Sequence, residues 1–136
     1  FEMKDRAAQF GMSADQLAKN DVVLEGALRS LEICKKAGVK VGYGTDLLGQ
    51  LQTEQSREFV LRAQVLKPIE IIRQAAVDAA EILRQERKLG VVAPGAYADL
   101  IVVDGDPLKQ LELFLDQGRH LPAIMKAGRF HKNELR

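Results

Sequence analysis

The stretch Leu89–Leu108, LGVVAPGAYADLIVVDGDPL, decides how the second part of the chain folds. Pro94-Gly95 predicts a reversal of the chain, because both residues favour turns. The apolar run Asp99–Asp104, which Gly105 ends, predicts a short strand. We expect its apolar side chains, Leu100–Val103, to be buried in a small sheet.

Two more strands are predicted downstream of this stretch. Ala123–Lys126 and Arg129–His131 flank Ala127-Gly128, a pair of residues that suits a tight hairpin turn. A brief helix is predicted around Leu108–Leu115. These elements predict a small β-rich part over residues 87–136, with a boundary near residue 86.

The chain before this boundary predicts helices. Ser13 and Gln16 can form a capping box, which predicts a short helix at that point. A longer helix is predicted over Asp21–Ala37, where apolar residues recur every three or four positions and Gly38 supplies a stop. Its apolar stripe comprises Leu24, Ala27, Leu28, Leu31 and Cys34.

One strand and two helices are predicted between residues 39 and 86. Val39–Gly44 is rich in β-branched and aromatic residues, which favour a strand. Ser56–Leu66 predicts a helix, and Pro68 suits the first turn of the next one. The predicted apolar face of that last helix comprises Ile69, Ile72, Ala76, Ala79, Ala80 and Leu83.

Asp46 is the candidate functional residue. It follows the predicted strand in Gly44-Thr45-Asp46, and active sites of α/β folds assemble where strands end. A carboxylate there can bind a cation or take a proton from a metal-bound water. It can equally cap the following loop as an Asx-turn. The local pattern leaves both interpretations open.

The histidines and the cysteine carry no comparable signal. His120 and His131 do not form the close pairs that place two imidazoles on one metal, so we expect solvated surface side chains. Cys34 lies on the apolar stripe of its helix, so we expect a buried thiol rather than a nucleophile. A lone cysteine also excludes an internal disulfide framework.

Composition excludes several classes of function. Twenty Lys and Arg oppose 19 Asp and Glu, and the net charge of +1 gives no field that attracts nucleic acid. No apolar run approaches the roughly 20 residues that span a bilayer, so no membrane partner is expected and the expected location is cytoplasmic. The 136 residues are fewer than the roughly 250 of a complete (β/α)₈ barrel. The first residue, Phe1, is no initiator Met, which favours a piece of a longer protein.

Four motifs occur in a characteristic order: GTD at 44–46, QAAVDAAE at 74–81, the stretch 89–108, and MKAGR at 125–129. They resemble the C-terminal end of the metal-dependent amidohydrolase superfamily. The loop LLGQLQTEQSREFVLRAQVL at 47–66 is similar to that of the prolidase-type, imidazolonepropionase-related branch, which cleaves dipeptides.

The resemblance implies an α/β fold, with the last units of a (β/α)₈ barrel over 1–86 and part of a small flanking β-sandwich domain over 87–136. It implies hydrolysis of amide or peptide bonds, in small Xaa-Pro-like dipeptides, by a complete protein that uses a divalent metal, zinc. Asp46 would be a catalytic residue and a metal ligand, passing a proton from the attacking water to the leaving nitrogen. The loop 47–55 would line the substrate pocket, or be an ordinary surface loop.

The resemblance also implies what this chain lacks. The family's H-x-H, its bridging lysine and two further histidines are absent from the 136 residues, so we expect them upstream. We therefore expect no tightly bound metal and no activity in this chain alone. The expected partners are a small amide or dipeptide substrate, the remainder of the polypeptide and further copies in a homo-oligomer. The alternative is a non-catalytic α/β structural or interaction module.

Overall fold

The computed structural model describes residues 1–135. Helix α1 is a single turn over Glu2–Asp5, and α2 is a 23-residue helix over Ala14–Lys36. The predicted capping box begins α2: the Ser13 hydroxyl accepts the N–H of Gln16, whose side chain accepts the N–H of Ser13. The predicted division into two helices is wrong, because one continuous helix spans both predicted parts.

The apolar stripe of α2 is only half-buried. One face of α2 is half-buried and comprises Leu24, Leu28, Leu31 and Cys34. Ala27 is exposed, and no residue of α2 is fully buried. The Cys34 thiol is therefore not the buried group that the sequence predicts.

The segment Val39–Gly44 forms no strand, which corrects the sequence prediction. A strand is defined and stabilised by the hydrogen bonds of a neighbouring strand. Within residues 1–135 the strands all belong to one small sheet further along the chain, and none of them pairs with this segment.

A 3₁₀ segment over Gly49–Glu54 leads to α3, Arg57–Arg62. Helix α4, Pro68–Arg73, has Pro68 in its first turn as predicted, and continues through a π turn, Gln74–Asp78, into α5, Ala79–Ile82.

The predicted apolar face of this last helix is wrong at two positions. Ile69 and Leu83 are exposed, while Ile71 and Ala80 are buried. Three isoleucines at 69, 71 and 72 leave the periodicity ambiguous, and a π turn changes which later side chains face inward.

The sheet has three antiparallel strands in the order β1-β2-β3: Leu100–Val102, Ala123–Lys126 and Arg129–Asn133. All three were predicted. Ala127 and Gly128 both have positive φ, 48° and 77°, as a two-residue hairpin turn requires. The expected burial of β1 is wrong for Ile101 and Val102, which are exposed.

A 3₁₀ turn over Leu111–Phe114 replaces the helix predicted around Leu108–Leu115, and a second follows over Asp116–Gly118. The buried core comprises Leu66, Ile71, Leu111 and Phe114. It therefore draws residues from both sides of residue 86, where the domain boundary stays a prediction. Within residues 1–135 no helix has both the length and the apolar character needed to cross a membrane.

Candidate active-site segment

The segment Gly42–Leu47 lies after α2 and is anchored at its beginning. The N–H of Tyr43 donates to the carbonyl of Gln74 at 3.2 Å, in the π turn. The guanidinium of Arg62 donates to the carbonyl of Gly42 at 3.1 Å. Two helical segments therefore fix the backbone immediately before Gly44.

The side chain of Tyr43 adds two contacts. Its hydroxyl donates to the carbonyl of Gln55 at 3.0 Å, and its ring lies 4.5 Å from that of Phe59. Phe59 stacks in turn on Phe114 of the core, at 4.3 Å. Burial raises the pKa of Tyr43, the charge of Glu58 raises it further, and Arg62 opposes both. Tyr43 therefore stays a neutral donor at physiological pH.

Asp46 lies three residues beyond this anchor and is exposed. Its φ is +50°, a left-handed conformation that Asp tolerates better than most residues. Among the described residues its carboxylate takes part in no hydrogen bond or ion pair, so the Asx-turn that the sequence left open is not formed there.

A cavity of about 340 Å³ adjoins the segment on both sides of Asp46. Its wall includes Thr45 and Leu47, along with apolar residues of α2 such as Leu28 and Leu31. The exposed Leu48 lies outside it, so only part of the 47–55 loop faces the cavity. Its volume falls at the small end of the range for small-molecule sites.

Paired charges complete the wall of this cavity. Glu2, only 6% exposed, forms ion pairs with Arg57 and Arg6. Glu58 pairs with Arg62, and its second oxygen is buried without a hydrogen-bond partner. The cavity thus combines apolar surface with charges that largely neutralise one another.

The residues present do not by themselves fit a metal. Over residues 1–135 no three His, Cys, Asp or Glu side chains are grouped closely enough to hold one, and a catalytic zinc takes three protein ligands. His131 is exposed as expected, whereas His120 is half-buried and its carbonyl accepts the N–H of Asp104. Neither histidine, nor Cys34, lines the cavity beside Asp46.

Comparison with known proteins identifies the family to which this chain belongs. The sequence pattern of the amidohydrolase family matches residues 3–129, which is most of the chain. The chain belongs to the amidohydrolase family. Enzymes of this family are hydrolases and typically bind divalent metals.

Solved structures resemble this amidohydrolase chain over nearly its whole length. One amidohydrolase is 46% identical with a TM-score of 0.91, covering 99% of this chain and 33% of its own. A prolidase solved with N-methylphosphonate-L-proline is 41% identical with a TM-score of 0.88, covering 96% and 32%. The amidohydrolase chain therefore spans about a third of these relatives.

A curated relative shares a shorter region. The 5-methylthioadenosine/S-adenosylhomocysteine deaminase of Symbiobacterium thermophilum is 30% identical over 84 residues, 53% of this chain and 19% of its own. Proteins named for very different substrates, a prolidase and a deaminase, thus match this chain.

Sequence reasoning missed the residues that hold the segment in place. Arg62 and Gln74 lie in predicted helices and gave no sign that they would contact Gly42 and Tyr43. The one available signal was Arg62 itself, the only charge within the largely apolar run FVLRAQVL at 59–66.

Proposed function

We propose that the complete polypeptide containing this chain is a metal-dependent hydrolase of amide or peptide bonds, acting on small Xaa-Pro-like dipeptides. The observation that carries the proposal is the 41% identity to a prolidase over 96% of this chain. That prolidase was solved with a phosphonate analogue that carries L-proline. The motifs at 44–46, 74–81 and 89–108 lend support from the sequence.

In this proposal the helices before residue 86 close a (β/α)₈ barrel and the β1–β3 sheet is part of a flanking β-sandwich domain. Two features support this arrangement: the stripe on α2 is only half-buried, and the segment Val39–Gly44 pairs with no strand among the described residues. The proposed partners are the small amide or dipeptide substrate, the rest of the polypeptide and a second copy of the protein. The proposed location is the cytoplasm.

Asp46 is the proposed catalytic residue of this chain. An exposed carboxylate without a local partner can accept the proton of the attacking water and then pass it to the leaving nitrogen. The bond to carbon forms from the water oxygen, and the amide C–N bond breaks as the nitrogen takes the proton. Asp46 could supply at most one metal ligand, so the others would come from outside the residues described here.

A deaminase is the second candidate, because the 5-methylthioadenosine/S-adenosylhomocysteine deaminase is 30% identical over part of the chain. Both reactions break a C–N bond with water, and the proton transfers asked of Asp46 are the same. The longer and closer match to the prolidase favours the dipeptidase.

The test is Asp46→Asn in the complete polypeptide. We expect turnover of Ala-Pro to fall by about 10²- to 10⁴-fold, the usual contribution of a general acid–base group, with little change in Tm. Asp116→Asn is the matched control, since Asp116 is also exposed and also has positive φ, +55°. It should leave turnover unchanged.

The result would contradict the proposal if Asp46→Asn kept its activity, or lost activity only in proportion to folded protein. Release of ammonia from 5′-methylthioadenosine, without cleavage of Ala-Pro, would instead support the deaminase.

A further inference from the structure

Arg62 is the most deeply buried cation of the described chain, at 7% exposure. A buried guanidinium persists only when hydrogen bonds and an opposite charge compensate its lost hydration. Its Nε donates to Glu58 at 2.6 Å, one Nη donates to the side chain of Gln74 at 2.6 Å, and the other donates to the carbonyl of Gly42. The three hydrogen bonds of the Arg62 guanidinium therefore join α3, the π turn and the segment that leads to Asp46.

The same three parts meet at Tyr43. The carbonyl of Gln74 accepts a hydrogen bond from the N–H of Tyr43, while the side-chain oxygen of Gln74 accepts one from the guanidinium of Arg62. The guanidinium carbon lies 5.2 Å from the centre of the Tyr43 ring, within the range of a cation–π contact. Residues 42 and 43 are thus held through backbone and side chain together.

Nothing comparable holds the residues that follow. Gly44 and Asp46 are exposed, and the carboxylate of Asp46 takes no partner within the described chain. Gly42 and Tyr43 are the fixed residues that precede Asp46. The direction in which the Asp46 side chain projects therefore depends on the position of the backbone at these two residues.

We propose that Arg62 is a positioning residue, which holds Gly42 and Tyr43 and thereby sets the placement of the Asp46 carboxylate. The inference rests on the proposed function, in which Asp46 transfers the proton. Arg62 itself need not touch substrate. An error of about 1 Å in the placement of a catalytic group can cost about 10²-fold in rate.

The experiment compares Arg62→Lys and Arg62→Met in the complete polypeptide, with Ala-Pro as substrate. Lysine keeps the charge but lacks the planar guanidinium that donates the three hydrogen bonds. Methionine removes the charge as well. We expect kcat to fall at least tenfold for Arg62→Lys and further for Arg62→Met, with KM changed less than threefold. Arg73→Lys is the matched control, because Arg73 is exposed, neighbours Gln74 and forms only a long ion pair with Asp78.

Hydrogen–deuterium exchange supplies a readout that does not depend on activity. In Arg62→Lys we expect faster exchange at the amides of 42–46, with α2 and the β1–β3 sheet unchanged. If Arg62→Met fails to fold, Arg62→Lys alone carries both measurements.

Two outcomes separate this inference from the function on which it rests. If Asp46→Asn abolishes turnover but Arg62→Lys keeps wild-type kcat and wild-type exchange, the inference is overturned and the function stands. A lower Tm with unchanged kcat per folded molecule also overturns it, since the role would then be structural. If Asp46→Asn keeps its activity, the proposed function fails, and the positioning role with it.

Discussion

At the scale of single residues, Gly90 shows how a motif glycine can be required by packing. Its φ is +73°, and a Cβ built there would lie 2.4 Å from the carbonyl oxygen of Ala76 in the π turn. Backbone cannot move aside as a flexible side chain can. Gly90 of the motif is therefore needed where the chain comes against the π turn.

Gly90→Ala should destabilise the protein by more than about 2 kcal/mol, because the strain of a left-handed alanine adds to a backbone clash. Gly95→Ala is the control: its φ is +85° but its Cβ would meet open space. That variant should lose only about 1 kcal/mol, the cost of the conformation alone. Denaturant melts measure both, and equal losses would show that the close approach to Ala76 does not matter.

Asp46 marks the limit of residue-level prediction. Its position after an apolar segment could be predicted, but its lack of a local partner could not, because that depends on which groups the fold brings near. Arg62 and Gln74 illustrate the same limit, since Arg62 contacts Gly42 and Gln74 contacts Tyr43, and each pair lies far apart in sequence.

At the scale of elements, one carboxylate ties the hairpin of β2 and β3 to the start of β1. Lys126 donates to Asp99 at 2.5 Å, and the N–H of Ala127 donates to its other oxygen at 2.7 Å. The Lys126 hydrogen bond, and after it that of Ala127, lower the pKa of Asp99 below its ordinary value of 3.8. The Asp of the ADL motif is thus structural.

Asp99→Asn should lower Tm, and the loss should depend on pH. Because the pKa of Asp99 is lower in the folded state, its contribution is complete above about pH 4 and disappears as pH falls through the folded pKa. Thermal melts from pH 7 to pH 2 should therefore converge for variant and wild type at the acid end. Asp104→Asn, an exposed change at the other end of β1, should match wild type throughout. A loss that persists at pH 2 would contradict the role of the charge.

Elements with local signals could be predicted, and those that need a distant neighbour could not. The capping box of α2 and the Ala127-Gly128 turn depend on adjacent residues, so both appear as predicted. The segment Val39–Gly44 has the composition of a strand, but no partner strand lies beside it in the described chain. Composition indicates a preference for extended backbone, whereas the hydrogen bonds of a sheet need two neighbouring strands.

At the scale of the whole molecule, the chain exposes more surface than its mass predicts. Its accessible area is 9506 Å², against about 7,100 Å² for a folded monomer of 15.1 kDa. The exposed surface includes many large apolar side chains. Val22 and Val23 on α2 and Val92 in the motif are among the exposed side chains, and β1 and β3 are both edge strands. Monomers rarely tolerate large apolar patches or unprotected edges.

The purified 136-residue chain should therefore self-associate. Light scattering should give a mass at least twice the 15.1 kDa of the monomer. The association should persist in 1 M NaCl, because apolar contacts are not screened as exposed ion pairs are. The complete polypeptide serves as the control. Its α2 should exchange amide hydrogens more slowly than α2 of the 136-residue chain, because the added residues would cover the apolar stripe of α2. A monodisperse 15.1 kDa monomer with a cooperative melt would mean that these surfaces need no cover, and would count against the proposal that the rest of a barrel lies over them.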